Sequence, residues 1–422
     1  MKVFKFGGAS VKDAEAVKNV ASILNLYKGE KIVVVVSAMG KTTNMLEKLV
    51  NTYFYKTGDP GIALEEVIDF HFQILHLLFR DEKHPVYAEI NNCFVEIEWS
   101  LEEDLGKGYG FVYDQVVSVG EVISSKIISA YLNDSGIRNY WLDVRDCIRT
   151  DNSYREAIVD WELTSKYISE IIPAAFSKNQ AIVTQGFIGS TSENFTTTLG
   201  REGSDYSAAI LAYGLDAKQV VIWKDVPGIL NADPKWFEET IKLDQLSYNE
   251  AIELFYYGAT VIHPKTIKPL QNKSIPLFVK SFVMPGEMGT VISNSSHTEP
   301  LIPSYIFKIN QVLLSISAND FSFIVEENLS TIFSLFAKHA IKINLMQNSA
   351  ISFSVCIDND PFKVPTLIDE LKQAFKVLYN EDLELLTIRH YNQEVIDRTI
   401  KNKEIFIEQK SRNTVQFVVK NA

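Results

Sequence analysis

The sequence predicts an α/β sandwich on a largely parallel sheet, followed by two small α+β modules. Three observations carry this. Apolar, β-branched runs alternate with helical patterns over roughly the first 290 residues. A polar linker, Asn294-Ser-Ser-His-Thr-Glu-Pro300, then interrupts the chain. Beyond it a βαββα order starts twice. At 422 residues the chain is too long for one ordinary core, so two or three domains are expected.

Val3 to Phe6 is a short strand that breaks at Gly7-Gly8, and Ser10 is placed to cap a helix running through Leu26. Ile32-Val-Val-Val-Val36 is uniformly apolar, as a strand buried on both faces should be. Strand, helix and strand within about 35 residues is the size of one βαβ unit. Residues 44–99 are mostly helical and aromatic and lead to Gly106-Lys-Gly-Tyr-Gly110. Val116 to Tyr131 reads as one helix carrying Glu121. Ala181 to Ile188 and Gln219 to Trp223 supply further apolar strands. Past the linker, Val312 to Ser317 is a strand and Asn328 caps a helix through His339. Strands at Ile341 to Met346 and Ile351 to Ile357 and a helix from Pro365 to Phe375 complete the first module. The second begins with Leu385 to His390, a helix near Glu394 to Lys401, and strands at Glu404 to Glu408 and Thr414 to Val419. It stops before its final helix. The expected divisions are residues 1–293, 301–378 and an abridged 379–422.

Apolar content of 46% and charged content of 22% describe a soluble globular chain. A net charge of −12 without a basic stripe argues against nucleic acid as the main partner. The three cysteines, Cys93, Cys147 and Cys356, are scattered with no CxxC pair, so neither a disulfide framework nor a zinc site is expected. Met1-Lys-Val-Phe-Lys5 opens directly into a strand, and apolar runs such as Ile32 to Val36 are far too short to cross a bilayer. A cytoplasmic protein with no membrane partner is expected.

Four segments carry chemistry. Thr196-Thr-Thr-Leu-Gly-Arg-Glu-Gly-Ser-Asp-Tyr206 reads as a hairpin and a Gly/Ser turn that hands over to a helix at Ser204 or Asp205. Such a turn directs backbone N–H groups and the Arg201 cation at a small anion. Lys5-Phe-Gly-Gly-Ala-Ser10 puts a lysine at a strand end and glycines at the turn, which suits a phosphate and equally suits a tight surface turn. Ser37-Ala-Met-Gly-Lys-Thr-Thr-Asn44 is not a P-loop, because Val35 stands where the first glycine is required. Trp223-Lys-Asp-Val-Pro-Gly-Ile229 places Lys224 and Asp225 at a strand end, where α/β sheets form ligand crevices. Glu121, in Ser118-Val-Gly-Glu-Val122, is either a cleft residue or a solvated glutamate. His263, before a proline, suits a structural hydrogen bond, and the other six histidines look incidental.

Taken in order, KFGGAS, SAMGKTTN, SVGE, VTQGFIG…TTTLGREGSDYSAA, WKDVPGILNADP and YGATVIHP resemble the aspartokinase family over residues 1 to about 290. That resemblance implies the amino acid kinase fold followed by paired ACT modules. It implies transfer of the γ-phosphoryl group of ATP, with Mg²⁺, to the side-chain carboxylate of L-aspartate, giving 4-phospho-L-aspartate. Lys5, Gly7, Gly8 and Ser10 would hold phosphates. Thr43, Glu121, Arg201 and Ser204 would hold aspartate, with Arg201 on its α-carboxylate and Glu121 on its ammonium. Asp205 would organise Lys5, and the two are the catalytic candidates. Lys224, Asp225, Leu230, Lys235 and Thr260 fall where the family grips the nucleotide. An amino-acid effector at the ACT modules and a homodimer or larger homo-oligomer are further expectations. No dinucleotide-binding domain follows residue 422, so a fusion to homoserine dehydrogenase is not expected. Another amino acid kinase, or a catalytically weak amino-acid sensor on the same fold, are the competing readings.

Several positions depart from the family pattern. Ala9 replaces a threonine, Glu202 a glycine, and Thr260 a lysine that contacts nucleotide phosphates. Lys224 replaces a threonine and adds a cation that would partly restore the lost charge. In the first module Asn344 and Ala350 stand where lysine-inhibited relatives carry acids, so inhibition by lysine is expected to be weak or absent.

Overall fold

The computed structural model describes residues 1–102, 105–200, 202–237, 239–259, 261–294, 302–320 and 322–421. Contacts divide it into two units. The first holds residues 1–229, 242–252 and 261–294; the second holds 230–241, 253–259 and 302–421.

In the first unit the chain runs β1 (Lys2–Phe6), α1 (Ala14–Asn25), β2 (Ile32–Val36), α2 (Thr42–Tyr55), α3 (Pro60–Leu78), α4 (Pro85–Glu102), α5 (Tyr109–Val117), α6 (Val119–Asp134) and β3 (Asn139–Leu142). It continues through α7 (Trp161–Ala175), β4 (Ala181–Gln185), the hairpin β5 (Ile188–Ser190) and β6 (Thr196–Thr198), α8 (Gly203–Gly214) and β7 (Gln219–Lys224). Next come β8 (Gln245–Ser247), α9 (Tyr248–Tyr257, whose second half is counted with the second unit), α10 (Pro264–Asn272), β9 (Leu277–Ser281) and β10 (Thr290–Ser293). Eight strands form one sheet in the order β3-β4-β2-β1-β7-β9-β10-β8, and only the β9–β10 pairing is antiparallel. Every residue of β2 and β4 is buried, which requires cover on both sheet faces. Register aligns Phe6 with Val36 and Trp223, and Val36 with Gln185. Four neighbouring strands therefore end on one line, and the loops that follow them share one edge.

Local chemistry differs from the sequence reading at two places here. Ser10 does not cap a helix: it lies in a short 3-10 turn and its hydroxyl donates to the Trp223 carbonyl at 3.1 Å. Asp13 caps α1 instead, accepting from the Ala16 N–H at 2.8 Å. The single helix expected over 116–131 is two, because the chain breaks at Ser118 between α5 and α6.

In the second unit β11 (Ser304–Ala318), α11 (Glu326–Lys338), β12 (Ile343–Asn348), β13 (Ser352–Asp358), α12 (Lys363–Leu371), β14 (Phe375–Arg389), α13 (Gln393–Thr399), β15 (Lys403–Lys410) and β16 (Thr414–Asn421) follow in order. Asn328 lies in the first turn of α11, not before it, and its side chain accepts from the Val325 N–H at 3.1 Å. The six strands make one antiparallel sheet, β12-β13-β11-β14-β16-β15. β11 and β14 are each 15 residues long, well beyond the runs expected. A bulge hides their continuity: Asn310 and Asp382 adopt left-handed φ of 55° and 57°, and pairing shifts between Lys308 and Gln311. Tyr305, on the early half of β11, packs with Leu386, Ile388 and Phe417, while Val312, Leu314 and Ile316 pack with Ile332, Val355 and Leu367. One strand thus serves two cores, and the line drawn at 378/379 falls inside β14.

Candidate active site

Alternation along β1 and β7 sets the charges. Phe4 and Phe6 pack with Trp223 at ring-centroid distances of 5.7 and 6.0 Å. With side chains alternating between faces, Lys5 and Lys224 must both point the other way. There the first turn of α8 presents Asp205, which is only 2% exposed. Lys5 Nζ lies 2.7 Å from Asp205 Oδ1, and Lys224 Nζ 3.7 Å from Oδ2. The Lys224 ammonium also donates to the Val261 carbonyl. Burial alone would raise the Asp205 carboxyl, but the Lys5 and Lys224 ammonium groups hold it below the ordinary carboxylate range. One carboxylate between two ammonium groups leaves the cluster one positive charge in excess.

The loops at the strand ends interlock. Ser37 N–H donates to the Phe6 carbonyl at 3.1 Å, Gly40 N–H to Gly8 at 3.1 Å, and Gly186 N–H to Val36 at 2.8 Å. A Cβ on Gly8 would stand 2.9 Å from the Gly40 carbonyl oxygen, and one on Gly186 would stand 2.6 Å from Ser204 Cβ. Glycine at these two positions lets the turn after β1 meet the 37–40 loop and lets α8 begin against β4's end. Gly7 borders the cluster as well: its Cβ would meet Lys5 Nζ at 3.4 Å.

Glu121 is 3% exposed, in the first turn of α6. Its Oε1 accepts from the Ala38 N–H at 3.3 Å, while Oε2 is buried with no hydrogen-bond partner among the described residues. Burial pushes its carboxyl up to about 8, against the opposing pull of the Ala38 N–H and the Lys5 charge. A buried acid with one idle oxygen is costly in the free protein and suits a cationic ligand group. Thr43, in the first turn of α2, is half-buried. Beneath it the Thr42 hydroxyl donates to the Met39 carbonyl at 2.7 Å and lies 3.2 Å from His71 Nε2. His71 Nδ1 donates to the Val67 carbonyl at 2.7 Å, and burial lowers this histidine to about 4, so it is neutral. His71 is thus not incidental. Its burial comes from the packing of α3, which no local pattern around it reveals.

The hairpin before α8 is fastened from below by Asp114. That carboxylate accepts from Thr198 N–H at 2.8 Å and Thr198 Oγ1 at 2.7 Å, and from the Arg155 N–H. Nothing in the run around Asp114 marked it in the sequence. Glu202, the residue before α8, takes a left-handed φ of 55°, the conformation that favours glycine. His263 behaves as expected and accepts from the Lys265 N–H to cap α10.

The structure therefore gathers Lys5, Asp205 and Lys224, sets Ser10 on the adjoining strand end and Ser204 against Gly186, and joins Glu121 to the same loops through Ala38. Asp225 is exposed just past β7. Leu230 and Lys235 are counted with the second unit, where the Lys235 N–H donates to Asp233 at 2.9 Å. Arg201 and Thr260 lie outside the described residues.

Comparison with known proteins fits this geometry. The model of the amino acid kinase family matches residues 1–281. Lysine-sensitive aspartokinase 3 of Escherichia coli is 31% identical over 396 residues, covering 92% of this chain and 86% of that protein. The chloroplastic bifunctional aspartokinase/homoserine dehydrogenase 2 of Arabidopsis thaliana is 33% identical over 294 residues, and this chain spans 32% of its length. A crystal structure of E. coli aspartokinase III in complex with aspartate and ADP superposes with a TM-score of 0.85 at 28% identity, covering 100% of this chain and 96% of that one. The chain belongs to the amino acid kinase family and, within it, to the aspartokinases, phosphotransferases whose acceptor is a carboxyl group.

Proposed function

We propose that this protein transfers the γ-phosphoryl group of Mg-ATP to the side-chain carboxylate of L-aspartate, the first step toward lysine, threonine and methionine. The observation that carries the reading is one edge of the sheet that holds both a cationic cluster and a buried carboxylate with an idle oxygen. The acceptor carboxylate and the triphosphate repel one another; at 4 Å, each pair of unit charges costs about 4 kcal/mol at an effective dielectric near 20. Catalysis is then mostly neutralisation and alignment. Lys5 carries charge to the transferring phosphoryl group and Asp205 fixes its ammonium. Gly7, Gly8 and Ser10 shape the turn beside it. Glu121 takes the substrate ammonium, Arg201 its α-carboxylate, and Thr43 and Ser204 complete that pocket. Lys224, Asp225, Leu230, Lys235 and Thr260 are assigned to the nucleotide.

Among the described residues no group of three or more His, Cys, Asp or Glu side chains could hold a metal. Mg²⁺ is assigned to the nucleotide phosphates as part of the substrate, a mode suited to an ion that keeps several waters. No described helix is long and apolar enough to cross a membrane, and we place the enzyme in the cytoplasm as a homodimer or larger assembly. The ACT-like tail is assigned an amino-acid effector, with inhibition by lysine weak or absent or the effector a different amino acid.

The test is direct. Purified protein with Mg-ATP and hydroxylamine should form the hydroxamate from L-aspartate and not from L-glutamate. ADP release that does not depend on aspartate would refute the assignment.

A further inference from the structure

One exposed cation of the first unit has no part in the scheme above. Arg155 lies in the loop between β3 and α7 with a left-handed φ of 72°, a conformation that glycine or asparagine adopts more easily. Asp114 holds it there, its two oxygens accepting from the Arg155 N–H at 3.1 and 3.0 Å. The same carboxylate fastens Thr198, so this loop and the hairpin before α8 share one anchor. A Cβ on Gly200 would stand 3.5 Å from the Arg155 carbonyl oxygen, which sets Arg155 against the residue just before Arg201. Its guanidinium carbon lies 4.7 Å from the centre of the Tyr113 ring and 5.3 Å from that of Tyr109, both on α5. Tyr109 Oη donates to Asn51 Oδ1 at 2.8 Å on α2, the helix whose first turn holds Thr43. Arg155 is thus tied to both segments that carry acceptor candidates, to α2 through its tyrosine platform and to the start of α8 through Gly200. Stacked on ring faces, a guanidinium keeps its N–H edge open to a planar carboxylate. Among the described residues the Arg155 side chain has no ion pair. Glu47, one turn past Thr43, acts on the same rings: burial raises the Tyr113 phenol most, Glu47 raises it further and Arg155 opposes. In a chain of net charge −12, an acid at this place repels an anionic acceptor, and Arg155 offsets it.

We propose that Arg155, carried on Tyr109 and Tyr113, is a specificity-determining residue at the rim of the acceptor pocket, where its charge draws in and orients a net-anionic amino acid. The proposal deepens the aspartokinase reading and rests on it. Arg155 serves binding alone and takes no part in phosphoryl transfer. Its loss therefore shows in the KM for the acceptor and leaves kcat in place.

The experiment compares the full-length wild type with R155N, R155G and R155K in the hydroxamate assay at low and high potassium chloride. Asparagine and glycine accept the left-handed backbone and keep the N–H that Asp114 holds, so both variants should melt within about 3 °C of wild type. In each, the KM for L-aspartate should rise about 5- to 20-fold, while kcat and the KM for ATP stay within about twofold. R155K keeps the charge without the planar fork and should fall between them and wild type. From about 0.05 to 0.5 M salt, the KM for aspartate should rise at least about threefold more in wild type than in R155N, which has lost the charge that salt screens. An arginine with a purely structural role would lower the melting temperature, leave the salt dependence in place and gain nothing from lysine. That pattern overturns the proposal, as does a KM for aspartate within about twofold of wild type in R155N and R155G. A wild type that forms no aspartyl hydroxamate sinks the aspartokinase reading and this proposal together. Normal turnover with indifferent Arg155 variants sinks the proposal alone.

Discussion

Two polar clusters in this protein make an instructive pair. In the second unit, Gln311 lies 1% exposed within the sheet. Its amide nitrogen donates to Asp358 Oδ1 at 2.8 Å, and its carbonyl oxygen accepts from Asn344 Nδ2 at 2.9 Å. Asn344 Nδ2 also donates to Asp358 at 3.0 Å, and Lys308 Nζ donates to the Asn344 oxygen at 2.8 Å. These groups answer one another. The cluster at the strand ends of the first unit does not close in this way: Lys224 shares an acid already taken by Lys5, and Glu121 Oε2 has no partner among the described residues. A network that satisfies itself holds a sheet together, whereas one left with surplus charge and an idle oxygen stores free energy for a ligand to release.

Breaking the open cluster should cost activity first. Asp205→Asn removes the carboxylate that separates two ammonium groups, and kcat should fall by at least about 10²- to 10³-fold in the hydroxamate assay. An unchanged kcat would detach the cluster from catalysis. The next largest effect belongs to Glu121. Glu121→Gln should raise the KM for aspartate about 10- to 100-fold, the range of a lost charge-assisted contact.

That glutamate also makes binding depend on pH, with a sign that follows from its shift. In the free protein the carboxyl sits at about 8, so near neutrality it is mostly protonated. An incoming ammonium selects the ionised form, so aspartate binding should release a proton and weaken as pH falls below that value. Calorimetry in buffers of different ionisation enthalpy reads the proton, and Glu121→Gln should abolish it. Stability follows the same window. The unfolded carboxyl titrates near 4.5 and the folded one near 8, so the ligand-free fold holds an extra proton between them and loses stability as pH rises through that range. Glu121→Gln should therefore melt higher than wild type at alkaline pH while binding its substrate worse.

The closed cluster should answer in stability alone. Gln311→Ala strands the Asn344 and Asp358 side chains, so unfolding free energy should drop by about 1–3 kcal/mol while kcat stays within about twofold. A larger loss of kcat would show that the tail network is coupled to catalysis. The smallest effect expected is that of lysine: with Asn344 engaged in this network and alanine at position 350, millimolar lysine should scarcely slow turnover. Strong inhibition would mean that the cluster opens to admit an effector.

Much of the cleft was legible from order and alternation. The Gly-Gly turn after Lys5 and the polar end of β7 each follow an apolar run, and the Gly-Ser-Asp start of α8 precedes one, so each had to stand at a strand or helix boundary. His71 and Asp114 were not legible. Each matters only through a partner far away in sequence, Thr42 for one and Thr198 for the other. The long strands β11 and β14 escaped for a related reason, since a bulge with left-handed Asn310 and Asp382 breaks the alternation by which a strand is recognised.

The residue pattern by itself determined which segments bury both faces, where they stop, and which charged types wait at the stops, because those properties depend on neighbours a few positions apart. It could not decide that Lys224 shares Asp205 with Lys5, or that Glu121 is desolvated enough to hold its proton near neutral pH. Electrostatic energy depends on distance through space and on the water excluded around a group, and both exist only once four strands have aligned their ends.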